Sequence, residues 1–384
     1  MSETAAPRSK SAAATAQNQP RPLTLIDCDV HQTWRDASEL TPYLDPYFAQ
    51  VGVRMPGSPY FSPIGVARRD AAPDEGGPAG SSLQTMQRQH LDPFGVDYAI
   101  LTGGGILGLG TTPDFDYAAA LARAYNDWLI DHWLDKDDRL FGSLVIAPQD
   151  GAEAAREIRR VGHHPRIVQV LMCSAAPVAY GRPQYHPIYE AAAELGLPVA
   201  IHPGTEGRGI AGAPTNVGWP RNYLEWHTNL SQGYQAHVIS LVLEGVFEKF
   251  PSLRFVCLEG GLAWLPHVMW RMDKNWKALR TQAPWLKRLP SEYIVEHIRL
   301  TTQPIEEPPR SEQLLQLFDM MRADRTVMFS SDYPHWDYDS PTHGLPKLPD
   351  DLRERIMWRN AAELYGLLDD SSTPGHQDAR TPEE

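Results

Sequence analysis

The chain of 384 residues carries 35 lysines and arginines against 48 aspartates and glutamates, for a formal net charge of −13 at pH 7. This acidic balance argues against nucleic-acid binding through a general basic surface, because phosphate contacts need clustered cations. The hydrophobic fraction of 42% and the charged fraction of 22% are typical of a globular protein, and the length fits one large α/β barrel or two medium domains.

Eight short apolar and β-branched runs alternate with segments of helical periodicity along the chain. The predicted strands cover residues 24–31, 95–103, 140–147, 168–174, 198–204, 254–260, 297–304 and 326–335. The predicted helices cover residues 115–133, 152–161, 187–195, 223–250, 262–279, 311–321 and 352–367. No nucleotide-phosphate loop follows the first strand, so this alternation predicts a closed (β/α)₈ barrel of the TIM type rather than an open doubly wound sheet.

The barrel domain is predicted to span residues 21–370. Residues 1–20 and 371–384 are polar and lack periodicity, which predicts disordered tails. Residues 43–82 are rich in glycine, proline and aspartate, and they predict a long first βα loop over the barrel mouth.

Membrane and disulfide chemistry find no support in the sequence. No apolar run approaches the roughly 18 residues of a membrane span, and residues 1–20 lack the apolar core of a secretory signal. Three widely spaced cysteines, Cys28, Cys173 and Cys257, form no C-x-x-C pair, which predicts reduced core residues. We therefore expect a cytoplasmic protein without membrane contact.

Polar residues stand at the ends of four predicted strands, where a barrel of this type holds its chemistry. The first strand ends in Asp29 and His31, whose side chains point to one face because they are two residues apart. The fifth ends at His202, the eighth at Asp332 and the sixth at Glu259. Each of these positions also has a structural alternative, such as a helix-capping role for Asp332 or a place in the core for His202. Their coincidence at four strand ends favours a functional site.

These residues carry a family resemblance. The strings D-V-H at 29–31, H-P at 202–203, E-G-G-L-A-W-L-P at 259–266, S-D-Y-P-H at 331–335 and N-A-A-E-L-Y-G at 360–366 together resemble the amidohydrolase superfamily. The most similar branch is the amidohydrolase-2 group, which includes aminocarboxymuconate-semialdehyde decarboxylase and the aromatic-acid decarboxylases. The resemblance spans about residues 25–367 and implies a divalent metal at the barrel mouth, usually zinc and sometimes manganese or iron.

The matching ligand positions are Asp29, His31, His202 and Asp332. Two positions depart from the family pattern: D-x-H replaces H-x-H on the first strand, and Glu259 replaces a histidine often found after the sixth. Oxygen in place of nitrogen makes manganese or iron more competitive, although zinc stays the first expectation.

One ion is favoured over two, because residues 168–174 contain no lysine for a carboxylated-lysine bridge. Glu259 with His227 or His237 is a tentative second site through carboxylate bridging. The alternative for either histidine is a hydrogen-bonding role on a helix face.

The main expectation is a metal-dependent hydrolase that attacks an amide, ester, lactone or thioester bond of a small acid with metal-activated water. Asp332 would ligate the ion and accept the water proton, and Glu259, or else His335, would pass a proton to the leaving group. A hydrogen bond within its loop is an equal alternative for His335.

The family also supports a non-oxidative decarboxylase of an aromatic or enoic acid. In the decarboxylases, a histidine that handles protons usually stands where this chain has Glu259. This difference modestly favours hydrolysis. A non-catalytic binding barrel is the third alternative, and the retention of all four ligand types argues against it.

The substrate side is less specified. The glycine-rich loop 204–221 is predicted to close over a small-molecule substrate, with Arg208 or Arg221 pairing with a carboxylate and Trp219 lining an apolar pocket. A homodimer is compatible with the sequence.

Overall fold

The computed structural model describes residues 23–368, so the predicted tails at 1–20 and 371–384 lie outside the described residues. Eight parallel strands form one sheet in chain order. They are β1 Ile26–Val30, β2 Tyr98–Leu101, β3 Leu140–Val145, β4 Ile167–Cys173, β5 Val199–His202, β6 Phe255–Cys257, β7 Ile298–Thr301 and β8 Val327–Met328. The prediction of a (β/α)₈ barrel is confirmed.

Backbone hydrogen bonds join the last strand to the first. Cys28 N–H donates to the Phe329 carbonyl at 3.0 Å, and His31 N–H donates to the Tyr333 carbonyl at 2.7 Å. Since β1 and β8 are neighbours in a closed ring, the segments that follow them meet at the same point of the mouth.

Helices surround the strands and also cover the mouth. They are α1 Pro46–Val51, α2 Leu83–Met86, α3 Asp92–Phe94, α4 Phe115–Leu129, α5 Gly151–Val161, α6 His186–Glu194, α7 Tyr223–Thr228, α8 Ser231–Leu243, α9 Val246–Lys249, α10 Trp264–Leu279, α11 Pro290–His297, α12 Ser311–Met321, α13 Ala323–Thr326, α14 Asp350–Glu354 and α15 Asn360–Tyr365. None of the described helices is long and apolar enough to cross a membrane.

The prediction of one helix over residues 223–250 is wrong. The segment forms the three helices α7, α8 and α9, and α9 begins after Gly245, whose φ of 75° is incompatible with a continuing helix. An earlier break, between the end of α7 at Thr228 and the start of α8 at Ser231, separates His227 from His237.

Helix α4 illustrates how the outer layer forms. The Asp114 side chain accepts a hydrogen bond from Tyr117 N–H at 3.0 Å, which caps the first turn. Leu121, Tyr125 and Trp128 follow at helical spacing and are buried against the strands. Burial of such apolar faces, at about 25 cal/mol per Å², is the main favourable term that holds the helices on the barrel.

The segment that follows α1, residues 52–82, crosses the barrel mouth with little regular structure. Met55, Tyr60 and Val66 from this segment line the cavity at the mouth. Of the predicted covering loop 43–82, residues 52–82 thus lie over the mouth, whereas Pro46–Val51 form helix α1.

Candidate active site

Four buried side chains converge at the barrel mouth. β1 supplies Asp29 and leads into His31, β5 ends at His202, and Asp332 follows β8. One ligand atom of each lies within 4.8 Å of the others. His31 Nε2 is 2.9 Å from Asp332 Oδ1, and His202 Nε2 is 3.3 Å from Asp29 Oδ2. We refer to these four residues as the metal cluster.

Backbone carbonyls fix both histidine rings of the metal cluster. His31 Nδ1 lies 2.7 Å from the Gly103 carbonyl, and His202 Nδ1 lies 2.8 Å from the Pro203 carbonyl. A carbonyl can only accept, so each Nδ1 carries the proton and each Nε2 presents a lone pair to the cluster. This orientation is the one that metal-bound histidines adopt.

The atoms that face one another have no hydrogen-bond partner. Asp29 Oδ2, His31 Nε2, His202 Nε2 and Asp332 Oδ2 are buried without a hydrogen bond, and Asp332 Oδ1 faces the rings of His31 and His335. Unsatisfied buried polar atoms are costly, and lone pairs that all point to one centre are the arrangement that a cation satisfies. Burial alone would raise the pKa of Asp332. The neighbouring His335 and His31 outweigh this effect and hold that pKa well below its usual range.

Glu259 stands at the edge of the metal cluster. Its Oε2 is 3.1 Å from His202 Nε2, and its Oε1 is 3.7 Å from His227 Nε2. Burial and the nearby Asp332 carboxylate raise the pKa of Glu259. The shift favours the protonated form of Glu259, whereas the shift of Asp332 favours its ionised form.

Glu259 and Asp332 share an unusual backbone conformation. Their φ angles are 51° and 60°, in the left-handed region that side chains other than glycine rarely occupy. Such strain costs of order 1–3 kcal/mol and persists where the surrounding structure imposes it, often at functional sites. Here it brings the two carboxylates into one group with His31 and His335, whose ligand atoms all lie within 4.8 Å of one another.

Sequence reasoning missed Asp337. Its Oδ2 lies 3.3 Å from His227 Nε2, and Asp337, His227 and Glu259 form a second group with ligand atoms within 4.8 Å. The two neighbouring carboxylates raise the pKa of His227 to about 10, against the opposing effect of burial. The sequence did offer one signal for Asp337: it lies two residues after His335, in the same loop as Asp332.

His335 lies on the other side of the metal cluster. Its Nδ1 is 2.7 Å from Asp332 Oδ1, and its ring stacks on His31 with a centroid distance of 4.1 Å. Burial works against the charged ring, but Asp332 raises the pKa of His335 to about 9. His335 therefore both orients Asp332 and faces the cavity.

A cavity of about 470 Å³ opens onto the metal cluster. Its walls carry Tyr60, Tyr223, Trp226 and Trp336, and the Tyr60 and Trp226 rings are stacked with centroids 5.5 Å apart. Within residues 23–368, no lysine or arginine is among the lining side chains. The cavity therefore combines aromatic walls with a polar floor of His31, His202, Glu259, His335 and Asp337.

A family model described as Amidohydrolase matches residues 26–367, nearly the whole of the described structure. The chain belongs to the amidohydrolase family. It is thus an enzyme of the amidohydrolase superfamily, and the resemblance seen in the sequence is confirmed.

Curated relatives in this family are similar over most of the chain. The gamma-resorcylate decarboxylase of Polaromonas sp. strain JS666 is 26% identical over 295 residues, which cover 74% of this chain and 88% of that protein. The gamma-resorcylate decarboxylase of Rhodococcus jostii strain RHA1 is 28% identical over 306 residues, with the same coverage.

Solved structures share the amidohydrolase fold. The dihydroxybenzoic acid decarboxylase of Polaromonas sp. JS666, solved with manganese and the inhibitor 2-nitroresorcinol, is 21% identical with a TM-score of 0.64. That match covers 90% of this chain and 98% of the other. The 5-carboxyvanillate decarboxylase of Sphingomonas paucimobilis is 23% identical with a TM-score of 0.60, covering 90% and 99%.

The expectation of hydrolysis as the main activity is wrong. The two curated relatives described above are named as decarboxylases, which supports the alternative of non-oxidative decarboxylation. The prediction took Glu259, which stands in place of a histidine, as a sign of hydrolysis. A buried glutamic acid whose pKa is raised can donate a proton, so its presence does not argue against decarboxylation.

His237 does not belong to this site, contrary to the tentative second set of ligands. Its Nδ1 accepts a hydrogen bond from Tyr180 N–H at 3.1 Å, and its Nε2 donates to the Ser174 carbonyl at 2.8 Å. Both nitrogens are used, so neither is left for a metal ion. The ring also stacks on Tyr180 at 4.3 Å, which makes it a structural link between α8 and the end of β4.

The predicted substrate contacts on loop 204–221 lie outside the cavity. The side chains of Arg208, Arg221 and Trp219 are exposed and are not among its lining residues. Contact with a substrate would require this loop to move toward the mouth, so their role stays a prediction.

Proposed function

We propose that this enzyme is a metal-dependent, non-oxidative decarboxylase of an aromatic carboxylic acid. The observation that carries the proposal is the similarity to gamma-resorcylate decarboxylases over 74% of the chain. The geometry of the site also supports this proposal, because an aromatic cavity opens onto a cluster of buried ligand atoms.

The metal cluster fits one divalent ion held by Asp29, His31, His202 and Asp332. Two carboxylates and two imidazoles form a harder ligand set than the three-histidine sites of zinc enzymes, and carboxylate ligands suit manganese. Manganese in the Polaromonas relative agrees with this chemistry. We therefore favour manganese over the zinc expected first. When bound, a divalent ion would neutralise and orient the substrate's anionic oxygens.

The cavity accommodates an aromatic ring. Its volume of about 470 Å³ falls within the roughly 300–1,000 Å³ of small-molecule sites. Tyr60, Trp226 and Trp336 offer ring faces and edges for stacking at the favourable separations of aromatic pairs. Since no arginine or lysine of the described chain lines this cavity, the charged end of the acid would lie toward the metal cluster and His335.

Glu259 is the proposed proton donor. Its raised pKa favours the protonated carboxyl, and the group lies beside His202 of the metal cluster while lining the cavity. Transfer of this proton to the ring carbon that bears the carboxylate would form a tetrahedral carbon. The carbon–carbon bond then breaks, its electron pair restores the aromatic ring, and CO₂ leaves.

His227 and Asp337 are placed to restore the proton. His227 Nε2 lies 3.7 Å from Glu259 Oε1 and 3.3 Å from Asp337 Oδ2. A histidine whose charged form is favoured by Asp337, and by Glu259 once Glu259 has lost its proton, can pass a proton to Glu259 after each turnover and regain one from solvent.

The test is release of labelled CO₂ from hydroxybenzoates with a ¹³C-carboxyl group, including 2,6-dihydroxybenzoate and 5-carboxyvanillate. The manganese-loaded enzyme is expected to release ¹³CO₂ from at least one of them. Retention of the label in every acid of the panel would overturn the proposal.

A further inference from the structure

A second cavity lies at the opposite end of the barrel. Its volume is about 1290 Å³, and it holds none of the metal-cluster residues. Arg254 immediately precedes β6, Arg299 is the second residue of β7, and Arg325 lies just before β8. This cavity, which we call the lower cavity, is therefore built where three strands begin.

Charge in the lower cavity runs against the charge of the protein. Within a chain of net charge −13, its lining includes six arginines and four carboxylates. The arginines are Arg254, Arg288, Arg299, Arg322, Arg325 and Arg355, and the carboxylates are Glu292, Glu296, Asp324 and Glu363. Such a local excess of cations attracts anions in spite of the overall acidic field.

Three of these arginines are already neutralised by carboxylates. The ion pairs are Arg288–Glu296, Arg322–Asp324 and Arg355–Glu363. Among residues 23–368, Arg254, Arg299 and Arg325 have no such partner, and the remaining carboxylate, Glu292, is exposed and forms no ion pair.

Backbone carbonyls hold two of the three unpaired guanidinium groups. Arg299 Nη1 donates to the carbonyls of Val295, Glu296 and Ile298 at the end of α11, at 2.9 to 3.4 Å. Arg254 Nη1 donates to the carbonyls of Pro251, Ser252 and Leu253 at 3.0 to 3.2 Å. These bonds use only Nη1 of each guanidinium group. The carbonyls therefore orient both groups while their other N–H donors stay available for a ligand.

The electrostatic environment of Arg299 is unfavourable for a cation. Burial, together with the positive charges of Arg254 and Arg325, lowers its pKa to about 10. The Glu363 carboxylate offsets part of this repulsion, and an anion between the three arginines would offset more of it. Guanidinium forks match the oxygens of phosphate and carboxylate groups with paired hydrogen bonds.

We propose that the lower cavity binds a small multiply charged anion, an organic phosphate or a polycarboxylate, between Arg254, Arg299 and Arg325. The site is separate from the metal cluster, so the occupant is not the substrate that reacts there. Because it joins the starts of β6, β7 and β8, the bound anion stabilises the folded barrel by mass action.

The experiment is isothermal titration of the full-length, metal-loaded protein with inorganic phosphate and with tricarballylate, which compete for a bound metal ion less than pyrophosphate and citrate do, at constant ionic strength set by KCl. Saturable binding is expected for at least one of them, and the tighter ligand identifies the phosphate or the polycarboxylate source. Arg299→Met and Arg325→Met should each weaken binding about tenfold or more, which corresponds to about 1.4 kcal/mol. The exposed side chain of Arg325 makes that variant safe for folding.

Two controls keep the result specific. Arg156→Met removes an exposed arginine of α5 that pairs with Glu153 outside the lower cavity, and it should bind the anion as the parent does. His202→Ala disrupts the metal cluster, and binding should persist in it. Absence of saturable binding, equal affinity in Arg325→Met, or loss of binding in His202→Ala would each overturn the proposal without bearing on decarboxylation.

Discussion

Glu259 Oε2 lies 3.1 Å from His202 Nε2, so a carboxyl with a raised pKa touches the edge of the metal cluster. The same side chain reaches His227 through its second oxygen. This relationship brings the proposed anchor of the substrate carboxylate and the proposed proton donor to one side of the cavity. A ring held there would have its reacting carbon between them, which is the positioning that such a reaction needs.

Replacement of Glu259 by glutamine should leave the fold and the metal content intact and lower kcat by roughly 10²-fold or more, the usual scale for a general acid. Glu206→Gln is the matched control, because Glu206 is a carboxyl with a burial-raised pKa that bonds to Ser174 outside the cavity lining. Steady-state kinetics with ¹³CO₂ detection measures both. Normal turnover in Glu259→Gln would show that Glu259 is not the proton donor. Loss of metal in this variant would show that Glu259 is a metal ligand instead.

His202→Ala should bind much less metal than the parent, because one of four converging ligand atoms is lost. Elemental analysis of the purified proteins, normalised to protein concentration, provides the measurement. His237→Gln serves as the matched control, since His237 is a buried histidine whose nitrogens are both bonded to backbone. Equal metal content in His202→Ala and the parent would show that this cluster is not the metal site.

Thr102 is predicted to tune metal affinity without touching the ion. Its Oγ1 donates a 2.6 Å hydrogen bond to Asp29 Oδ1, which fixes the carboxylate. Loss of such a supporting contact typically weakens metal affinity by about 10–100-fold, so Thr102→Val should show this loss in a chelator competition with manganese. Thr102→Ser keeps the hydroxyl and should restore most of the affinity. Equal affinity of the valine and serine variants would rule this support out.

The stability of the fold should depend on pH through His237. Burial lowers its pKa to about 4, below the ordinary 6.5. Between these values the unfolded chain binds a proton that the folded chain does not, so the contribution of the neutral ring is complete above pH 6.5 and is lost as pH falls toward 4. A shift of this size corresponds to about 3 kcal/mol.

His237→Gln removes this titration and offers a comparable acceptor and donor. The free energy of unfolding of the parent, measured in urea relative to that of His237→Gln, should therefore decrease by about 3 kcal/mol between pH 7 and pH 4. A constant difference between the two proteins across this range would show that His237 is not held neutral by burial.

Sequence patterns predicted the barrel and the meeting of its strand ends for a physical reason. The alternation of apolar runs and amphipathic segments defines parallel strands, and the carboxyl ends of parallel strands must lie on one side of a closed barrel. The spacing of two between Asp29 and His31 then places both side chains on one face. Their atoms are 3.4 Å apart in the structure.

Residues on helices and loops could not be placed in the same way. His227 and His237 are ten residues apart in a segment predicted as one helix, but the break between α7 and α8 places one beside Glu259 and the other at the end of β4. Asp337 comes from a loop whose path depends on its contacts. The reaction type was also beyond the motifs, because the same four ligands serve hydrolysis and decarboxylation.

The most direct measurement of the central claim is turnover of hydroxybenzoates by the manganese-loaded enzyme in D₂O, followed by NMR. Decarboxylation through protonation of the ring predicts one CO₂ for each acid consumed and one deuterium at the carbon that carried the carboxylate. A product that retains the carboxylate carbon, or no release of CO₂ from any hydroxybenzoate, would contradict the proposed function.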